Sequence, residues 1–149
     1  MIASEAEHQL VTLIARIAPS HGPMIASLRS LLRKRLPTAI ELVYEYRDCV
    51  VISYSPNEHG YEGVLGIRAS ENEVRLFFNR WQELHDPAKL LKGSGKQVRA
   101  IPVPSAASLA DPAVASLIDQ AIALNPVPFA STGQGSVVIR PTSASKRRA

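Results

Sequence analysis

The sequence predicts an α+β domain, an antiparallel sheet of four to five strands with helices packed on one face. Three observations lead there. Leu10, Leu13, Ile14 and Ile17 recur at helical spacing near the N-terminus. Residues 49–54, Cys-Val-Val-Ile-Ser-Tyr, form a nearly continuous apolar, β-branched run. Residues 64–69 and 74–79 alternate apolar and polar positions across Ser70-Glu71-Asn72-Glu73, which reads as an antiparallel hairpin. Strands in succession joined by short turns, with helices set apart at the two ends, imply a sheet covered by a helical layer.

The first helix is expected over residues 5–18. Ser4 and Glu7 stand three apart as a capping box, and Pro19 closes the apolar run. Pro23 suits the first turn of a second helix, whose apolar positions are Met24, Ile25, Leu28, Leu31, Leu32 and Leu36. Arg33, Lys34 and Arg35 fall in its last turn, where cations match the negative end of the helix dipole, and Pro37 stops it. Thr38-Ala39-Ile40-Glu41 could cap one more short turn, and if residues 39–46 are helical, Glu41 and Glu45 share a face one turn apart. The run at 49–54 is a strand covered on both sides, and the two arms at 64–69 and 74–79 follow. Residues 97–103 make a fourth strand, with Val98 and Ile101 in its apolar complement and Arg99 emerging opposite the core. Asp111-Pro112 opens a last helix with Val114, Leu117, Ile118, Ala121 and Ile122 as its stripe, and Asn125-Pro126 ends it. Val137-Val138-Ile139 is an edge strand through which two copies could pair as a homodimer. The expected core contains Leu13, Leu28, Leu32, Val51, Ile67, Leu76, Val98 and Leu117.

At 149 residues the chain is one domain's worth of core. Residues 1–140 are assigned to that domain and 141–149 to a disordered basic tail. The single cysteine, Cys49, rules out an internal disulfide framework, and no Cys/His group has zinc spacing. The acidic start, Met-Ile-Ala-Ser-Glu-Ala-Glu, is unlike a signal peptide, and no apolar run approaches the roughly 20 residues of a membrane span. A cytoplasmic protein without membrane attachment is the expectation. The net charge of +4 owes much to Lys146, Arg147 and Arg148; without them 14 basic groups face 13 acidic ones. That balance argues against nucleic acid as the partner.

Inside the body the charge is uneven. Arg75, Arg80, Lys89, Lys92, Lys96 and Arg99 face only Glu83 and Asp86 over one stretch. Within it, Lys92-Gly93-Ser94-Gly95-Lys96 and Arg99 make a candidate anion site, glycine backbone donors flanked by cations. A nucleotide-type phosphate loop is excluded, because one residue separates the glycines, Gln97 follows the lysine, and a strand rather than a helix comes next. Glu41, Glu45 and Asp48 are the densest acidic group, an oxygen set for a hard cation. His59 stands between Glu58 and Glu62 with no second His at ligand spacing, so a polar turn is the reading there. His85-Asp86 has the order of a base and its orienting carboxylate, without a Gly-x-Ser-x-Gly nucleophile elbow to serve. The functional expectation is a non-catalytic binding module for an anionic small molecule or acidic protein partner, with no cofactor. A metal carrier using the three carboxylates and an enzyme using His85 and Asp86 are the alternatives.

Asp86-Pro87, followed by Leu90-Leu91-Lys92-Gly93-Ser94-Gly95-Lys96-Gln97-Val98-Arg99, resembles the YdhG-like family of bacterial domains (domain of unknown function 1801). That family shows an Asp-Pro, a Leu-rich approach, Gly-small-Gly-Lys and then a basic residue opening an apolar strand. Pro37, Ala39 and Glu41 are similar to its proline-plus-acidic segment after a helix. The similarity spans about residues 24–124. Glu45-Tyr46-Arg47-Asp48 stands where the family has an aromatic residue, Gly and Met-Pro, which marks a divergent member. The resemblance implies a frataxin-like α/β sandwich, and for some relatives an iron chaperone role, hence iron as the metal of the alternative reading. Frataxin-like iron delivery uses carboxylates on the first helix and the sheet edge, whereas the matching helix here carries Arg29, Arg33, Lys34 and Arg35 and no carboxylate.

Overall fold

A computed structural model describes residues 5–59 and 62–141. Residues 1–4, 60, 61 and 142–149 lie outside the described residues, so the capping box does too, as does the tail assigned to 141–149 apart from Pro141, which ends a strand. The helices are α1 (Glu5–Ile17), α2 (Gly22–Arg35) and α3 (Pro112–Leu124); the strands are β1 (Ile40–Glu45), β2 (Cys49–Ser55), β3 (Leu65–Ser70), β4 (Val74–Phe78), β5 (Arg99–Pro102) and β6 (Val137–Pro141). The strand order is β5-β4-β3-β2-β1-β6. Five strands follow one another in an antiparallel meander, and β6 joins the far edge parallel to β1, with Glu41 beside Val137 and Val43 beside Ile139. The sheet is therefore mixed and six-stranded, not an antiparallel sheet of four or five. After β5 and α3 the chain returns to the opposite edge of the sheet, where β6 runs parallel to β1.

The apolar stripes read from the sequence fold as helices. Leu10, Leu13, Ile14 and Ile17 of α1, Ile25, Leu28 and Leu32 of α2, and Val114, Leu117, Ile118 and Ala121 of α3 are buried in one core. Asp111 caps α3 by accepting from the Ala113 N–H at 2.9 Å. The strand registers place Val43, Val50, Ile52, Tyr54, Leu65, Ile67, Ala69, Val74, Leu76, Phe78 and Ile101 on one face of the sheet, and these share that core with the helices. All three helices thus cover the same face.

Three expectations fail for one physical reason, the two-residue period of a strand. Residues 40–45 are not helical but form β1, so Glu41 and Glu45 are roughly 13 Å apart along a strand and not one turn apart on a helix. Val51 points away from the helices and is half-buried, while its neighbours Val50 and Ile52 are in the core. Val98 precedes β5 and is 46% exposed; Ile101 is the buried residue, and Arg99, opposite Phe78, shares the face of Ile101.

The uncovered face is only partly open. Phe77 lies across Gly66, where an added Cβ would sit 2.5 Å from the ring, and Leu42, Ser53 and Ser55 are buried on that side. Arg140 of β6 donates to the Glu58 carbonyl at 2.5 Å, drawing the segment after β2 over this face.

Candidate functional site: a buried arginine under a cationic cleft

Only four polar or charged residues are buried among those described, and two of them, Arg29 and Glu41, touch each other. Arg29 sits on the buried stripe of α2 between Leu28 and Leu32, so its guanidinium is carried into the gap between α1, α2 and β1. It donates to Glu41 through Nε (3.0 Å) and Nη2 (2.9 Å), and to Glu7 through Nη1 (2.9 Å) and Nη2 (2.8 Å). Both contacts are bidentate, the geometry a planar guanidinium fork makes best. Tyr54 on β2, the cross-strand neighbour of Glu41, donates its hydroxyl to Glu41 Oε2 at 2.6 Å. One guanidinium therefore ties together α1, α2, β1 and, through Glu41, β2.

The electrostatics follow from this packing. Burial works against the charge on Arg29, but the hydrogen bonds to Glu7 and Glu41 outweigh it and hold the guanidinium above its ordinary pKa. The hydrogen bond from Arg29 holds the Glu7 carboxyl below the usual carboxylate range despite its partial burial. Burial, and then the adjacent Glu41 charge, push the Tyr54 phenol well above its ordinary value. This group of shifted residues lies under an open cleft of about 630 Å³. Arg29 and Glu41 form part of its wall, Ser30, Arg33 and Lys34 of α2 line it, and residues 133–136 stand opposite. The opposite wall is fastened to the start of β1: Gly135 N–H donates to the Pro37 carbonyl at 2.9 Å and Glu41 N–H to the Ser136 carbonyl at 2.8 Å. Only glycine allows that approach, since a Cβ at Gly135 would lie 2.0 Å from the Ala39 oxygen. Arg33 is half-exposed, with Nε 3.7 Å from Glu41 Oε1, beyond hydrogen-bond length. Lys34 is exposed and has no salt bridge among the described residues.

The glycine-rich stretch has a different construction. Lys92 and Ala100 exchange backbone hydrogen bonds at 2.7 and 3.1 Å, closing the segment between them into a loop, with Gly93 at φ 121°. The Trp81 indole N–H donates to the Gly95 and Lys96 carbonyls, each at 3.1 Å. The Arg99 guanidinium lies 3.6 Å from the Trp81 ring centroid. Around Trp81, then, the loop presents carbonyl oxygens. Ser94, Lys92 and Lys96 are exposed. Gln97 and Val98 border a separate cleft of about 590 Å³ whose other residues include Glu62, Asn79, Arg80, Glu83 and Asn125.

The remaining sequence candidates are dispersed. Glu41 is held by Arg29, Glu45 binds Arg16 at 2.9 Å, and Asp48 is exposed in the turn between β1 and β2. Among the described residues no group of three or more His, Cys, Asp or Glu side chains is placed to hold a metal ion. Asp86 accepts from the backbone of Leu90 (2.9 Å) and Leu91 (3.0 Å), fixing the approach to the glycine loop, while the backbone of His85 is bracketed by the Gln120 amide at 2.6 and 3.0 Å. Cys49 is buried. No helix among the described residues is long and apolar enough to cross a membrane.

Sequence reasoning missed Arg29, Glu7 and Tyr54 as a unit. A signal for Arg29 was present: it interrupts the apolar stripe Ile25, Leu28, Leu32 at a position facing the core. Glu41, in phase with Val43 on β1, is the matching anomaly on the strand.

The fold and site together define a small α+β protein with a helix-covered mixed sheet and a cation-lined cleft over a buried ion-pair cluster. No family model, no curated protein and no solved structure matches the chain.

Proposed function

We propose that this protein is a non-catalytic binding module for a small anion, held in the cleft beside α2 by Arg33 and Lys34 with Ser30 as an added hydroxyl. The observation that carries this reading is the cationic wall of the cleft: Arg33 is half-exposed there, 3.7 Å from Glu41, and the exposed Lys34 beside it has no salt bridge among the described residues. The Arg29–Glu41 pair holds the floor rigid. Two cations on one concave wall attract a carboxylate, phosphate or sulfate, and binding orders their side chains at a cost the charge contacts must exceed. The cations at Lys92, Lys96 and Arg99 are the competing location for the same activity. The layering of helices on one sheet face supports placing the chain among divergent YdhG-like domains with a frataxin-like sandwich, and that placement is part of the proposal. The position of β6 at the sheet edge supports Val137–Ile139 as the place where a homodimer would form.

Titration with inorganic phosphate and with sulfate, followed by amide NMR, separates the locations. The reading expects shifts at Ser30, Arg33, Lys34 and residues 133–136 that disappear in the Arg33→Ala/Lys34→Ala double variant. Shifts confined to residues 92–99 and abolished by Lys96→Ala would move the site to the glycine loop. No shift in either region up to millimolar anion would refute the binding-module reading.

A further inference from the structure

On the other flank of the C-terminal half of α2 lies a second concavity, of about 510 Å³, with the opposite chemistry. Leu31 and Leu32 form one side, Ala106, Leu109 and Ala110 of a short 3-10 turn another, and Ile118 of α3 the base. Leu31 is one of only four large apolar side chains exposed among the described residues, at 40%. The alanines across from it are too small to cover it. Two cations rim the groove, Lys34 and Arg35. They are not equivalent: Arg35 is bound to Asp119 of α3, closing one end, whereas Lys34 carries no salt bridge among the described residues.

We propose that this groove binds an amphipathic small anion, an unbranched or compact apolar body with one anionic head group, the body lying on Leu31, Leu109 and Ile118 and the head meeting Lys34. The volume is that of a small-molecule site, within the roughly 300–1,000 Å³ typical of such pockets. An exposed leucine facing small residues in a concave wall gains by removal of water from its surface. One unpaired ammonium at the rim of an apolar wall selects a ligand with a single negative end, and the lysine stem can extend along the apolar surface as it does so. A neutral apolar molecule would leave Lys34 unmatched, and a cation would be repelled by both rim residues. This inference stands apart from the small-anion reading, since its walls are on the opposite side of α2; only Lys34 borders both.

The test uses the full chain and dodecanoate below its micelle concentration, with dodecanol and dodecyltrimethylammonium as controls, read by side-chain methyl NMR. Dodecanoate is expected to shift the methyls of Leu31, Leu109 and Ile118. Lys34→Ala should weaken it about 5- to 10-fold while Arg33→Ala leaves it unchanged, and Leu31→Asn should abolish it with the fold intact by circular dichroism. Phosphate should shift none of these methyls. Equal binding of dodecanol or of the ammonium would overturn the assignment, as would dodecanoate shifts lying elsewhere. So would methyl shifts that change with protein concentration alone, which would make a second copy of the chain the occupant.

Discussion

Arg29 and Arg99 are both arginines held by several contacts, yet they do opposite things. Arg29 is buried, and four of its N–H donors are used by two carboxylates from different elements. Arg99 lies half-exposed on the face of Trp81, with its Nε 3.4 Å from the Gly95 carbonyl of its own loop. The first joins distant parts of the chain; the second fastens a local loop to the residue next to it. A dense run of cations in the sequence pointed to the second region, while the first rests on one cation in an apolar stripe. Density along the chain measured solvent-facing charge, and isolation among leucines measured structural consequence.

The sharpest way to break this contrast is to remove each arginine. Arg29→Ala takes the guanidinium from the buried Glu41 carboxylate and the part-buried Glu7 and should cost about 3–5 kcal/mol, the usual penalty for removing one partner of a buried pair. Arg99→Ala should cost about 1 kcal/mol or less, as for an exposed cation–π contact. Urea denaturation measures both; equal losses would end the distinction. The Arg29→Ala penalty should also shrink on acidification, because the part that comes from Glu7, whose pKa Arg29 lowers, is lost as Glu7 is protonated.

Tyr54→Phe removes a hydroxyl donor from Glu41 and leaves the ring. The expected loss is about 1.5–3 kcal/mol, as for a hydrogen bond to a charged group. The same cluster sets two pH limits. With the folded Glu7 pKa held below its unfolded value, its contribution is complete above the ordinary carboxylate pKa and is lost as pH falls through the lowered folded value. With the folded Tyr54 pKa raised, its contribution is complete below the ordinary phenol value, near 10, and is lost as pH rises beyond it. Glu7→Gln should flatten the acid limb of the stability profile and Tyr54→Phe the alkaline limb.

On the loop side, Trp81→Phe deletes the indole N–H that serves two carbonyls and weakens the stacking under Arg99. We expect about 1–2 kcal/mol at most, with faster hydrogen exchange confined to residues 92–100. Exchange that accelerates throughout the sheet would show that the loop, too, is a long-range tie. The smallest expected effect is in the carboxylates read as metal ligands. Because Glu41 and Glu45 are each bound to an arginine, anaerobic calorimetry with ferrous ion should give little heat, and Glu45→Ala should leave that trace unchanged.

Much of the architecture was legible because it rests on local periodicity. The stripes of α1, α2 and α3 and the alternation in β3 and β4 each lie within one segment, and they fold as those elements, with Leu31 of α2 left exposed where the stripe had placed it in the core. What was not legible required knowledge of pairing. Residues 40–45 mix Glu and Tyr with apolar residues and carry no strong period; only the ladder to β2 on one side and β6 on the other makes them a strand. Val51 and Val50 are chemically identical, and the register alone decides which faces the helices. The cleft beside α2 was invisible for the same reason, since its walls come from distant segments, α2 and residues 133–136.

That pairing has a consequence for how the chain is made. β1 lies inside the finished sheet, but its second neighbour, β6, is the last of the described elements to be synthesised. Until then β1 presents an unpaired edge, with Leu42 and Val43 along it, and the wall that faces Arg33 does not exist. The nascent protein therefore passes through an interval in which the β1 edge, a template for strand pairing, is open. Closing that edge and building the cleft are the same late event, so a chain that has formed the cleft beside α2 is also one that has already sealed β1.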